Sequence, residues 1–220
     1  HHEPTIHRMR WVKAANNKYH LIVLPLHGRG NKNGEGAGVK VIAYDRPADP
    51  AKEWKQWTID ESMHLTHNMD VMDMGNTERL YIGGKEGIKI FSFVNGTWTS
   101  PGPDWFVQGR SFGEVRVGRG HGDAILVSGI EAMHGNQLTV YDSRDNSMRL
   151  VLTSGLNQGH ALGINDLLNL GRNQIVVGWR EPDAEKKVGV KIFIPQPGRE
   201  TDWKDYWVDD NGMACEDLQL

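Results

Sequence analysis

One stretch constrains the chain more than any other: HLTHNMDVMDMGNTERLYIGGKEGIKIF, residues 64–91. It holds an apolar run at 69–74, a polar turn around Gly75 and a second run at 80–82. After a Gly-Gly-Lys-Glu-Gly turn, a third run alternates strictly over 88–93. Runs this short, divided by glycine-rich turns, predict strands, and none is long enough for a helical stripe. A lone meander of this kind cannot bury its own faces. Several in a row can.

The pattern recurs. The second-strand signal reads LIVLPL from Leu21, LYIGG from Leu80, ILVSG from Ile125 and IVVGW from Ile175. A third-strand signal follows each: GVKVIAY from Gly38, GIKIFSF from Gly87, NQLTVYD from Asn136 and GVKIFIP from Gly189. Weaker fourth runs, often with Trp, lie at 54–60, 98–107, 148–153 and 203–209. First strands are IHRMRWV from Ile6, HNMDVMDM from His67, GEVRVG from Gly113, GINDLLNL from Gly163 and MACEDLQL from Met213. The period of about 45 to 60 residues falls among four-stranded propeller blades.

The expected fold is therefore all-β, a β-propeller of four-stranded antiparallel blades at 6–60, 64–108, 112–153 and 160–209. One extra inner strand, at 213–220, would begin a fifth. An orphan inner strand suits a piece of a larger ring, roughly six to eight blades in full. A β-sandwich of similar strand count is the alternative, but sandwiches rarely repeat in sequence.

Composition narrows the function classes. The 220 residues carry a formal charge of −3 with both signs interspersed, so no basic stripe argues for nucleic acid. No apolar run approaches the length of a membrane span. A single Cys, Cys215, rules out an internal disulfide. The sequence opens His-His with neither Met nor signal peptide, as a chain whose targeting segment was removed, an internal piece or a tag remnant would. HGRGNKNGEGAG, residues 27–38, is glycine-rich, but the alternating 39–44 follows it rather than a helix, so no nucleotide cofactor is expected.

An Asp-bearing first strand, a tight turn and an "IhhGG" second strand resemble FG-GAP/VCBS-type β-propeller proteins. PTIHRMRWV, LPLHGRGNKN, HNMDVMD, IEAMHGNQLTVY, GHALGINDLL and VVGWR are similar to bacterial secreted propellers grouped with the propeller part of aldos-2-ulose dehydratase. The likeness runs over essentially the whole chain. It implies a secreted or periplasmic location and, for an enzyme, elimination chemistry on a carbohydrate. The chain departs from the FG-GAP pattern at its turns. DMGNTER, NLGRNQ, KAANNKYH and RGHGDA offer at most one or two acidic ligands each, too few for a carboxylate calcium cage. Asp70, Asp166 and Asp217 are then expected to accept backbone N–H bonds.

Blade geometry tells where chemistry could collect. In an antiparallel blade the first strand starts on one face of the ring and the second returns to it. Residues before first strands and after second strands thus share one rim of the channel. After second strands come His27, Lys85, His134 and Arg180; at first strands come His7, His64, His67, Arg110 and His160. Of ten His, only His1, His2, His20 and His121 fall elsewhere. Aligning Asp70 with Asp166 makes His64 and His160 equivalent. Such a rim suits a divalent metal or an anionic or polyhydroxylated ligand, although loop His also occur simply solvated. His67 and His160 are the expected metal ligands; His27, Arg29, Lys85, Arg110 and Trp179 are expected to contact ligand, Trp179 by stacking on a sugar face. Two functions compete. One is a binding module for a saccharide or other small polar ligand. The other is a metal-assisted carbon–oxygen lyase, with His134 or His64 as base and either Arg180 or a metal held by His67 and His160 as the cation facing an enolate.

Overall fold

The computed structural model describes residues 5–210 and 212–220, so His1 and His2 lie outside the described residues. Every helix or strand among the described residues is a strand, and no helix is long and apolar enough to cross a membrane. The chain divides into two compact units, His1–Ser111 and Phe112–Leu220.

The first unit holds two antiparallel sheets. One runs β1 (Ile6–Ala15), β2 (Lys18–Pro25), β3 (Val41–Asp45), β4 (Lys55–Asp60). The other runs β5 (Thr66–Asp73), β6 (Glu78–Gly84), β7 (Gly87–Val94), β8 (Thr97–Thr99), with β9 (Val107–Gln108) also paired to β7. The second unit repeats the plan as β10 (Glu114–Arg119), β11 (Ile125–Glu131), β12 (Gln137–Asp142), β13 (Asp145–Thr153) and as β14 (Gly159–Asn165), β15 (Gln174–Trp179), β16 (Val190–Gln196), β17 (Arg199–Asp209). Each sheet is an up-and-down meander, the topology of a propeller blade.

Residues 213–220, the expected start of a fifth blade, form no ladder among the described residues. The segment lies instead along β14 and β15, where the Cys215 amide donates to the Trp179 carbonyl at 3.2 Å. Leu218 and Leu220 close over Gly163, a position where any larger side chain would collide with them.

The second strands are near-continuous apolar runs because both their faces are covered. In β15 every residue from Gln174 to Trp179 is buried. The turn between β5 and β6 uses Gly75 at φ 87°, a conformation that other residues adopt at a cost, and the Asp73 carboxylate accepts its amide at 2.7 Å. The first unit's core gathers Val12, Ile22, Leu24, Val41, Leu80 and Ile82; the second's gathers Ile130, Leu138, Leu162, Ile175, Val177 and Trp179.

The Lys of the recurring GhKhF pattern has a recurring job. Lys89, 3% exposed, donates to Asp60 at 2.8 Å, pairs with Asp104 at 2.9 Å and lies 4.8 Å from the Trp105 ring. Lys191 pairs with Asp205 at 2.7 Å and lies 4.6 Å from the Trp207 ring. Burial works to lower the Lys89 pKa, but the bonds to Asp60 and Asp104 outweigh it and hold the ammonium above its ordinary value. A Lys89→Ala variant takes the cation from the Asp60 carboxylate, whose side chain is 8% exposed and which keeps its bonds from Ser62, and lowers stability by about 3 kcal/mol in urea unfolding.

His20 is a fully buried imidazole of the first unit. It stacks on Trp57 at 4.9 Å, meets Phe93 edge-on at 4.8 Å and accepts the Trp98 indole N–H at Nδ1 over 3.1 Å. Burial, joined by the charge of Lys18 and only partly opposed by Asp45, pushes its pKa down. The unfolded chain then binds a proton that the folded one resists. Stability is full above the ordinary His value of 6.5 and falls as pH drops below it. Thermal midpoints measured from neutral to mildly acid pH should decline, and His20→Phe should flatten that decline; an equal slope in both proteins overturns the assignment.

Candidate functional site

The registers reveal a motif that strand periodicity hides. Along β1 the partner moves from Pro25 to Leu24 while the chain advances from Ile6 to Arg8, so His7 is an extra residue. The same shift makes His67 extra between Thr66 and Asn68 on β5, and His160 extra between Gly159 and Ala161 on β14. A bulge adds one residue, bends the strand and re-aims a side chain. All three bulged residues are His. The register of β10 with β11 shows no shift. His160 therefore corresponds to His67, not to His64 as the Asp70–Asp166 alignment implied. Asp166 misleads because it lies just beyond β14, in the following turn.

In the second unit His160 is the centre of a polar group. Its Nδ1 bonds to the Glu216 backbone carbonyl, and a carbonyl only accepts, so Nδ1 carries the proton. Nε2 faces the Glu216 carboxylate, 3.7 Å away. His134 stacks on His160 with ring centroids 4.8 Å apart and planes inclined by 30°. It reaches there from the loop after β11, at φ 48°. Arg180 donates to the Gln158 side chain at 2.6 Å and lies 3.4 Å from the other Glu216 oxygen. Two imidazoles and a carboxylate are the donor types that divalent transition metals take.

The first unit has its own imidazole pair. His7 and His67 lie 4.6 Å apart, and His7 Nδ1 donates to the His67 carbonyl at 2.5 Å. His67 is 5% exposed. Of the expected metal ligands, His67 thus belongs to the first unit and His160 to the second, each beside another His of its own unit.

Other expected residues have different surroundings. His64 turns to Glu86, with Nδ1 2.9 Å from the carboxylate, and its backbone carbonyl accepts from Asn31, so it is not paired with His67 through the i, i+3 spacing. His27 forms an isolated bridge with Leu65. Lys85 donates to the Gly34 carbonyl at 3.1 Å, bracing the 27–38 loop rather than standing clear of it. Arg29 and Arg110 are exposed. Trp179 is corrected: it is 1% exposed, packs against Trp207 at 5.3 Å and donates its indole N–H to the Lys187 carbonyl, so no sugar face can reach it. It sits at the end of β15, where the strand is still covered on both faces.

No protein-family model and no curated protein matches this chain.

The recurring aspartates have different partners. Asp166 accepts the amides of Leu170 and Gly171, both at 2.8 Å, and the first of these bonds chiefly holds its carboxyl below the usual range. Asp217 accepts the Leu218 amide at 2.8 Å and lies 3.7 Å from Arg116, and Asp70 pairs with Arg10 at 2.9 Å. In the Asp166 turn, backbone N–H groups occupy the positions a cation would take. Amide exchange at Leu170 and Gly171 should therefore accelerate in Asp166→Ala, while added calcium leaves the wild-type rates unchanged; slowing by calcium would overturn this account.

Proposed function

We propose that the protein is a ligand-binding β-propeller repeat module of the FG-GAP/VCBS type. Its binding element in the second unit is the group His134, His160, Glu216 and Arg180, which takes a divalent transition-metal ion and, beside it, a polar saccharide. The observation that carries this reading is the anchoring of His160. With Nδ1–H held by the Glu216 carbonyl, the ring is fixed with Nε2 turned towards a carboxylate and beside a second imidazole. Arg180, braced by Gln158 and Glu216, supplies a fixed cation for a carboxylate or hydroxyl of the ligand.

The same group supports a second reading, a carbohydrate lyase. Removing a proton α to a carbonyl needs a base and a cation near the developing enolate, and His134 and Arg180 are of those types. Arg180, held on two sides beside the imidazoles, is the observation that favours it.

Titration with cobalt(II) and zinc, followed by cobalt absorption and calorimetry, tests the binding element. Saturable binding weakened at least about tenfold in His160→Ala and in Glu216→Gln is expected. Binding that is absent, or indifferent to both changes, overturns the proposal. Incubation with uronate polymers separates the readings: a new conjugated double bond, lost in His134→Ala, would make the protein a lyase, and sugar binding without it a module.

A further inference from the structure

The second unit has a cavity at the strand ends opposite those that carry His134 and His160. It opens where β10 and β12 finish, where β11, β13, β15 and β17 begin, and where β16 gives way to β17. Its volume is about 540 Å³, within the range of small-molecule sites. Nothing in the chemistry described above uses it.

Its lining has two characters. Met148, Leu150 and Trp203 make an apolar wall, joined by Leu126 and Val140 from the neighbouring strands. Arg119, Arg144, Arg172 and Arg199 border the same space. Against these four guanidinium groups, Asp142 is the one acidic residue among the described lining residues. Asp142 is engaged with Arg144, Nη2 to carboxylate 2.6 Å, and these bonds hold its carboxyl below the usual range. Arg199 lies 3.7 Å from Asp202, but both side chains are well exposed, so that pair is weak. Arg172 is held in place by its Nε donating to the Pro195 carbonyl at 3.0 Å. Positive charge thus exceeds negative around a partly enclosed, partly apolar space, where a guanidinium acts on a ligand more strongly than in open water.

We propose that this cavity binds a small organic anion, an oxyanion head of carboxylate or sulfonate type attached to an apolar or ring-shaped body. The head is taken by Arg172 and Arg199 at the mouth, since planar guanidinium groups match planar or trigonal oxyanions with paired hydrogen bonds. The body lies against Trp203, Met148 and Leu150. A neutral molecule of the same shape gains the apolar contact and lacks the paired bonds, so charge is the discriminating feature.

The test uses the full chain and 8-anilinonaphthalene-1-sulfonate, whose rings and sulfonate have this chemistry, read by fluorescence enhancement. Saturable binding at one site per chain is expected, displaced by 4-phenylbutyrate and at least about tenfold less well by 4-phenylbutanol. Arg172→Met should weaken the probe by at least about tenfold. Because Arg172 also ties down Pro195, two further variants accompany it. Arg199→Glu changes only an exposed side chain and should weaken binding, and Leu150→Trp should fill the cavity and abolish it. Equal displacement by the alcohol overturns the proposal. So does unchanged affinity in Arg199→Glu and Leu150→Trp while their thermal midpoints match the wild type. His160→Ala should leave probe binding intact, which separates this cavity from the imidazole group.

Discussion

Covering both faces of every second strand is the condition on which the other features depend. β2, β6, β11 and β15 run through the middle of their sheets, and residues such as Ile22, Leu80, Val127 and Val177 are inaccessible to solvent. An unpaired charge at such positions would cost several kcal/mol, roughly as much as two buried aliphatic side chains contribute. Charge enters the interior only when neutralised, as Lys89 is by Asp60 and Asp104. Reactive and binding groups are thereby pushed to the strand ends. In the second unit the two ends differ in chemistry: imidazoles and Glu216 at one, guanidinium groups around an apolar wall at the other.

The bulged histidines show how a regular sheet delivers a side chain to such an end without losing its ladder. At His7, His67 and His160 one residue is added, pairing resumes within a residue, and the imidazole leaves the pleat's alternation. For His7 and His160 a backbone carbonyl then accepts from Nδ1–H, which fixes the ring and the direction in which Nε2 points. His20 is the contrasting case. Its Nδ1 accepts from Trp98 inside an aromatic cluster, and its role is confined to packing and pH response.

Much of the fold was legible because it rests on local signals. The alternation of GIKIFSF, the unbroken run LYIGG and the glycine turns between them specify strand, buried strand and reversal without reference to distant residues. The site was legible in part. The concentration of His near strand ends could be read, and the local pattern x-His-x-(Met/Leu) in IHRM, THNM and GHAL marks the bulges once the registers are known. Trp179 could not be placed, because whether a Trp at a strand end faces solvent depends on what covers it. Here Trp207, from β17, does so. Residues 213–220 match the first-strand position of the repeat, yet strand formation waits on a partner that local sequence does not supply.

The amino-acid order by itself determined an all-β chain of repeated meanders and an unusual supply of imidazoles, since period, turn residues and composition are properties of neighbours in sequence. Only the tertiary structure decided the use of each group: that His160 pairs with His134 and Glu216, that His64 turns to Glu86, and that four arginines from separate strands and turns border one cavity. The physical reason is register. A one-residue shift in a ladder reverses the face of every side chain beyond it, and that shift is settled by pairing across the sheet rather than by the residues alongside.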